Sequence, residues 1–165
     1  MINSSKSKGF TLIEMVVALA IFSLVISVLG SVSVSLIKVQ RKAFVLQNTQ
    51  EAARYILESI SKEIRTSRIN SEADSDLTVL NITNSKGETL DYQFDNTNKW
   101  ILRNGEVISP NILNITGSFY LRKSPVQTVP AFAIVTIVIK VESQGDRPEE
   151  QAEIYLQNSI ASRSF

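Results

Sequence analysis

Residues 15–37, "MVVALAIFSLVISVLGSVSVSLI", are twenty-three consecutive residues without a charge. As a helix rising about 1.5 Å per residue, this run is longer than the ~30 Å hydrocarbon core of a bilayer. Inside lipid every backbone N–H and C=O must be bonded within the segment. The run is therefore expected to be helical despite a Val and Ile content that is modest in helix propensity. Gly30, Ser31, Ser33 and Ser35 place small residues in its second half, where another helix could approach closely or the backbone could loosen.

Three readings compete for the run: a cleaved secretory signal, a permanent single-pass anchor, or a more specialised segment. Lys6 and Lys8 supply the positive flank of a signal, but the apolar core exceeds the roughly 7 to 15 residues that a signal uses. Charge does not decide orientation, because Lys38, Arg41 and Lys42 follow the run as Lys6 and Lys8 precede it. Glu14 is more informative. A carboxylate in a spanning helix costs roughly 2.5 to 3.5 kcal/mol at mid-depth and less near an interface, so a specific partner is expected.

Composition narrows the function. The chain has 165 residues, with 17 Lys and Arg against 16 Asp and Glu, a net charge of +1. That balance gives no general electrostatic affinity for nucleic acid, and no direct nucleic-acid site is evident. With no Cys there is neither disulfide nor thiol chemistry, and with no His the commonest general base and a usual zinc ligand are missing. No phosphate loop, metal-ligand spacing or nucleophile elbow appears. No catalytic residue, metal or cofactor is assigned. The acids of "EADSD", residues 72–76, suit a solvated loop better than a calcium site, and the glycosylation patterns at Asn81 and Asn114 fall inside expected strands.

The residues around Glu14 carry a resemblance. "KGFTLIE" followed by "MVVALAIF" resembles the N-terminus of type IV pilins and type II secretion pseudopilins. The resemblance implies a leader of residues 1–9, cleavage between Gly9 and Phe10 by a prepilin peptidase, and N-methylation of Phe10. It also implies that Glu14 meets the N-terminal amine of a neighbouring subunit in a filament, setting subunit registration. Removing Lys6 and Lys8 leaves 17 − 2 = 15 basic against 16 acidic side chains. "VALAIF", the segment "QEAARYILESISKEIRTS" and "LDYQFDNTNKWILRNGEVISPNI" look most like J-type minor pseudopilins and PilW-like minor pilins.

Beyond residue 37 the pattern becomes amphipathic. Leu46, Ala53, Ile56, Leu57, Ile60 and Ile64 share one face, while Glu51, Arg54, Glu58, Lys62 and Arg65 lie largely on the other. Glu58 and Lys62 stand four apart, in the order that favours an ion pair. One continuous helix is thus expected over 10–68: residues 10–37 in membrane or filament core, and 38–68 laid on a head. Lys38, Arg41 and Lys42 read as a membrane-boundary anchor. The head is expected over 69–165, with strand signals from Leu77 onward. Hairpins are expected around "NSKGE" and Asn104-Gly105, followed by a Pro-bounded loop holding Pro125 and Pro130. A central strand within 131–143 is apolar on both faces, and a last strand follows near 152–160. The expected class is α+β, a long N-terminal helix covering one antiparallel sheet.

The resemblance then implies a minor subunit taken from the inner membrane, head outside the cytoplasm, and assembled at or near a filament tip as an initiator. Its partners would be the peptidase/methyltransferase, other major and minor subunits, the inner-membrane assembly platform and, before assembly, lipid. An unprocessed, membrane-anchored binding domain of adhesin type is the alternative, and a carboxylate-based enzyme a more distant one.

Overall fold

The computed structural model describes residues 9–72, 74–123 and 132–162. Residues 1–8 of the expected leader and the loop prolines Pro125 and Pro130 lie outside the described residues. The chain divides into two compact units between Gln40 and Arg41.

Helix α1 runs Leu12–Arg65, 54 residues, shorter at both ends than the expected 10–68. Its C-terminus needs neither Gly nor Pro. Thr66 and Ser67 donate their N–H groups to the carbonyls of Glu63 and Ile64, both at 3.2 Å, and the Ser67 hydroxyl donates to the Glu63 carbonyl at 2.7 Å. The last turn is thereby satisfied and tightened, which ends the helix. Gly30 and its neighbouring serines do not loosen α1, which is regular throughout.

Within residues 41–165, Ala53, Ile56, Leu57, Ile60 and Ile64 bury one face of α1, as the periodicity requires, together with Thr49 and Ser61. Leu46, placed on that face by spacing, remains exposed. The expected Glu58–Lys62 pair is not among the ion pairs of the described residues.

Nine strands follow: β1 Arg68–Ile69, β2 Asp74–Leu77, β3 Val79–Thr83, β4 Thr89–Asp95, β5 Trp100–Arg103, β6 Glu106–Val107, β7 Leu113–Lys123, β8 Ala133–Ser143 and β9 Glu153–Ser162. They form two antiparallel sheets rather than the single sheet expected: β1-β3-β4-β5-β6 and β2-β7-β8-β9. Alternating residues of both sheets, among them Leu80, Tyr92, Phe94, Ile101, Ile115, Phe119, Ile137 and Ile139, join the α1 face in one core. Residues 74–76, expected in a solvated loop, form β2 with Leu77 and pair with β7, though irregularly between Asp74 and Leu77 and with Asp76 at φ 70°. The Asn104-Gly105 hairpin has φ of 52° and 77°, the double left-handed turn that this dipeptide favours.

The sheets meet where β7 carries Gly117. A Cβ there would collide with the Val138 carbonyl oxygen and lie 3.0 Å from the Phe94 ring. The Asn96 side chain binds the Gly117 backbone in both directions, accepting its N–H at 3.0 Å and donating to its C=O at 3.2 Å. A glycine and an amide thus replace a strand pairing, and strand identity alone could not reveal this. Strand β8 is central, between β7 and β9, but only one face is fully covered; Ile134, Thr136 and Val138 on the other stay partly or wholly exposed.

Candidate functional site

The N-terminal segment has its own local order. Thr11 precedes the first helical residue, and its side-chain oxygen accepts the Glu14 N–H at 3.3 Å. In return the Glu14 Oε2 accepts the Thr11 N–H at 3.0 Å and the Thr11 hydroxyl at 3.0 Å. This is a capping box, which satisfies amide donors that a helix start otherwise leaves open. The negative side chain also sits at the positive end of the helix dipole. Sequence reasoning missed this role for Thr11. The signal was present as Thr-x-x-Glu ahead of an apolar run.

Both hydrogen bonds from Thr11 reach Oε2, and Oε1 has no partner among the described residues. Glu14 shares a shallow groove with Phe10, Ile13, Val17, Ala18 and Ile21. Phe10 is 86% exposed. Gly9 has no atom within 4 Å of where a Cβ would stand and shows no left-handed φ, so nothing in the described fold requires glycine there.

Every residue from 9 to 40 is exposed. Helix α1 contains an 18-residue window of mean hydropathy 2.7, none of it buried, and among the described residues it is the one helix long and apolar enough to cross a membrane. Four of the five serine hydroxyls of residues 15–37 bond back to the helix: Ser23, Ser27 and Ser33 donate to the carbonyls of Leu19, Ser23 and Leu29, and Ser31 to that of Val28, whereas Ser35 makes no such bond among the described residues. Such back-bonding lets hydroxyls sit in an apolar surrounding without an open donor. Lys38, Arg41 and Lys42 are exposed and enter none of the ion pairs of the described residues. Lys42 also lines an open polar cleft with Leu46, Glu142, Gln151, Ala152 and Glu153.

In the head, one polar cluster fastens α1 to β4 and β5. Arg103 grips Glu63 with two bonds, Nη2 to Oε1 at 2.8 Å and Nε to Oε2 at 3.1 Å, and the Tyr92 hydroxyl also donates to Oε2. Bonding to Arg103 holds the Glu63 carboxyl below the usual range, against a burial effect of opposite sign. Burial, then the bond to Glu63, pushes the Tyr92 phenol up. No sequence spacing pointed to this cluster, whose members stand 29 and 40 residues apart. Among the described residues no group of acids forms a metal-binding cluster; Ala73 and the side chains of Asp74 and Ser75 lie outside them.

Residues 4–30 match the family model described as the prokaryotic N-terminal methylation motif. The chain carries that motif at its N-terminus. The match supports the type IV pilin and pseudopilin family and a subunit processed at its N-terminus; this motif family is structural rather than catalytic. It does not reach the head, so the J-type or PilW-like subtype is not part of it. Comparison with curated proteins and with solved structures found no match.

Proposed function

We propose that the chain is a minor pilin or pseudopilin subunit. A prepilin peptidase cuts between Gly9 and Phe10, Phe10 is methylated, and the product waits in the cytoplasmic membrane with its head outside the cytoplasm. An assembly platform then packs it by α1 into a type IV pilus or type II secretion-like filament, at or near the tip, where it initiates assembly. The observation that carries this reading is the methylation motif joined to an apolar segment of α1 that none of the described residues buries.

In this reading Glu14 registers the subunit. Its Oε2 stays with Thr11, which leaves Oε1 to accept the ammonium created at Phe10 of a neighbour. Opposite charges that meet in an apolar filament core remove two unpaired ions in one contact. Lys38, Arg41 and Lys42 hold the membrane boundary before extraction. The head-to-tail repeat of one contact gives an open filament rather than a closed ring.

N-terminal sequencing and mass spectrometry of protein recovered from its own host test the reading. A mature chain beginning with N-methylated Phe10 is expected. An intact Met1, or a terminus near Ser33, would discard it in favour of an unprocessed anchor or a secretory signal.

A further inference from the structure

The four outer edges of the two sheets are finished very differently. Along β3, Asn81 is bonded by the backbone N–H of Asn70 at 2.9 Å and by the Ser71 hydroxyl oxygen at 2.8 Å, beyond the two-residue β1. Along β5, Ile101 is bonded by the N–H of Ile108 and by the Ser109 side chain, beyond the two-residue β6. Along β7, Asn96 takes Gly117, the Lys99 carbonyl takes the Ile115 N–H at 2.8 Å, and the four-residue β2 covers the far end. Each of these edges is short, bent or capped, as expected of a sheet that resists further pairing.

Strand β9 is the exception. It runs ten residues in unbroken register with β8, and no backbone bond on its other side is formed among the described residues. Alternate N–H and C=O groups therefore point outward along its length. "EIYLQNSIAS" contains no Lys, Arg, Pro or Gly, and its one formal charge, Glu153, stands at the first position, 3.4 Å from the Lys140 Nζ. Ile154 and Leu156, on the core side of this edge, are only partly buried.

We propose that β9 is a strand-addition site whose occupant is an extended segment of a different polypeptide. The backbone row supplies the affinity. Ile154 and Leu156 select apolar residues at alternate positions on the core side, whereas Tyr155, Gln157 and Ser159 face polar ones.

A second copy of this chain does not fit. Ala152 and Glu153 line one cleft with Lys42 and Leu46, and the Asn158 amide donates to the Ser61 hydroxyl oxygen at 2.9 Å, so β9 runs in the direction of α1. Antiparallel β9–β9 pairing would oppose the two α1 helices, which copies inserted alike in one membrane cannot do. Parallel pairing about a twofold along the strands would turn equivalent residues onto opposite faces, which the pleat forbids. The remaining edges of a second copy offer at most the four residues of β2.

This exclusion of a second copy rests on the membrane-anchored reading; the exchange test below does not, because N-terminal processing leaves β9 unchanged. The full chain in detergent micelles is followed by amide-resolved hydrogen exchange, alone and with a peptide as long as β9 that alternates Val and Thr between terminal lysines. A peptide of the same composition, with its Val and Thr in separate blocks, is the control. In the chain alone, the β9 amides that point away from β8 should exchange freely. The alternating peptide should slow them by about tenfold or more, with the β8-facing amides unchanged. The proposal is overturned if those outward amides are already slow in the chain alone, if the alternating peptide does not slow them, or if the blocked peptide slows them equally.

Discussion

Glu14 has two candidate tasks, and their magnitudes differ enough to be separated. As a cap partner it exchanges three hydrogen bonds with Thr11, an arrangement whose loss costs about 1 kcal/mol, or roughly fivefold in an equilibrium. As the partner of a neighbour's ammonium inside a filament, its removal leaves an uncompensated buried charge. That costs about 3–5 kcal/mol, roughly 10² to 5 × 10³-fold. Thr11→Val removes the hydroxyl and two of the three bonds while keeping the Thr11 N–H and the carboxylate. Glu14→Gln keeps an amide oxygen that can still accept from Thr11 but abolishes the charge. If registration dominates, Glu14→Gln and Glu14→Ala should both cut filament incorporation by at least about two orders of magnitude, and Thr11→Val by no more than about fivefold. The assay is the ratio of filament-borne to membrane-borne subunit, after mass spectrometry has confirmed that each variant begins at Phe10. Equal losses for Thr11→Val and Glu14→Gln would refute the argument and leave Glu14 as a helix cap.

Three further outcomes concern the head. Gly117→Ala forces a methyl group against the Val138 carbonyl and the Phe94 ring, and should lower stability by about 1–3 kcal/mol in urea unfolding, whereas Gly87→Ala, strained but in open space, should cost less. Because the Glu63 carboxyl is held low, its contribution is present above its ordinary pKa of 4.5 and disappears as pH falls through the lower folded value. The Arg103 side chain is 39% exposed, so the contribution is about 1 kcal/mol or less; thermal melts of Glu63→Gln should show a shallower acid limb than the parent below pH 4.5. Ile60→Ala should lower the head's stability by about 2–5 kcal/mol, because Ile60 is 0% exposed, while Ile26→Ala, at 51% exposed, should leave the head's unfolding midpoint in detergent unchanged.

Sequence legibility followed the range of each interaction. The apolar run, the buried stripe of α1 and the Asn104-Gly105 turn depend on residues within a few positions of one another, and all three were readable. The end of α1 was overestimated because Thr66 and Ser67 continue the helical pattern in composition while their hydroxyls and amides close it. The division into two sheets was not readable. Strands β4 and β7 alternate alike, and the contacts where their sheets meet, the bare Gly117 against Phe94 and its bonds to the Asn96 amide, join residues 21 or more positions apart. The Glu63, Tyr92 and Arg103 cluster was hidden for the same reason: each residue alone looks like an ordinary polar position. The capping box is different, since Thr-x-x-Glu ahead of an apolar run is a local signal.

The two halves of α1 solve different solvation problems, and the first must solve its problem twice. From Thr49 onward the chain supplies its own apolar cover. Before residue 41 the cover must come from outside, first as lipid and then, in the proposed filament, as neighbouring helices. Both surroundings lack water, so a polar atom in this half is tolerated only when it is bonded locally or has a partner that arrives with the surroundings. The hydroxyls of Ser23, Ser27, Ser31 and Ser33 meet the first condition by returning to helix carbonyls, and they are indifferent to which cover is present. Glu14 meets it with Oε2 alone. Its other oxygen is stable near the headgroups, where water and lipid cations reach it, and in a dry helical bundle only if a cation is brought to it. In the proposed filament a single carboxylate would therefore make the transfer from lipid conditional on the neighbour's terminal amine, and the proposed cleavage after Gly9 would have to come before assembly.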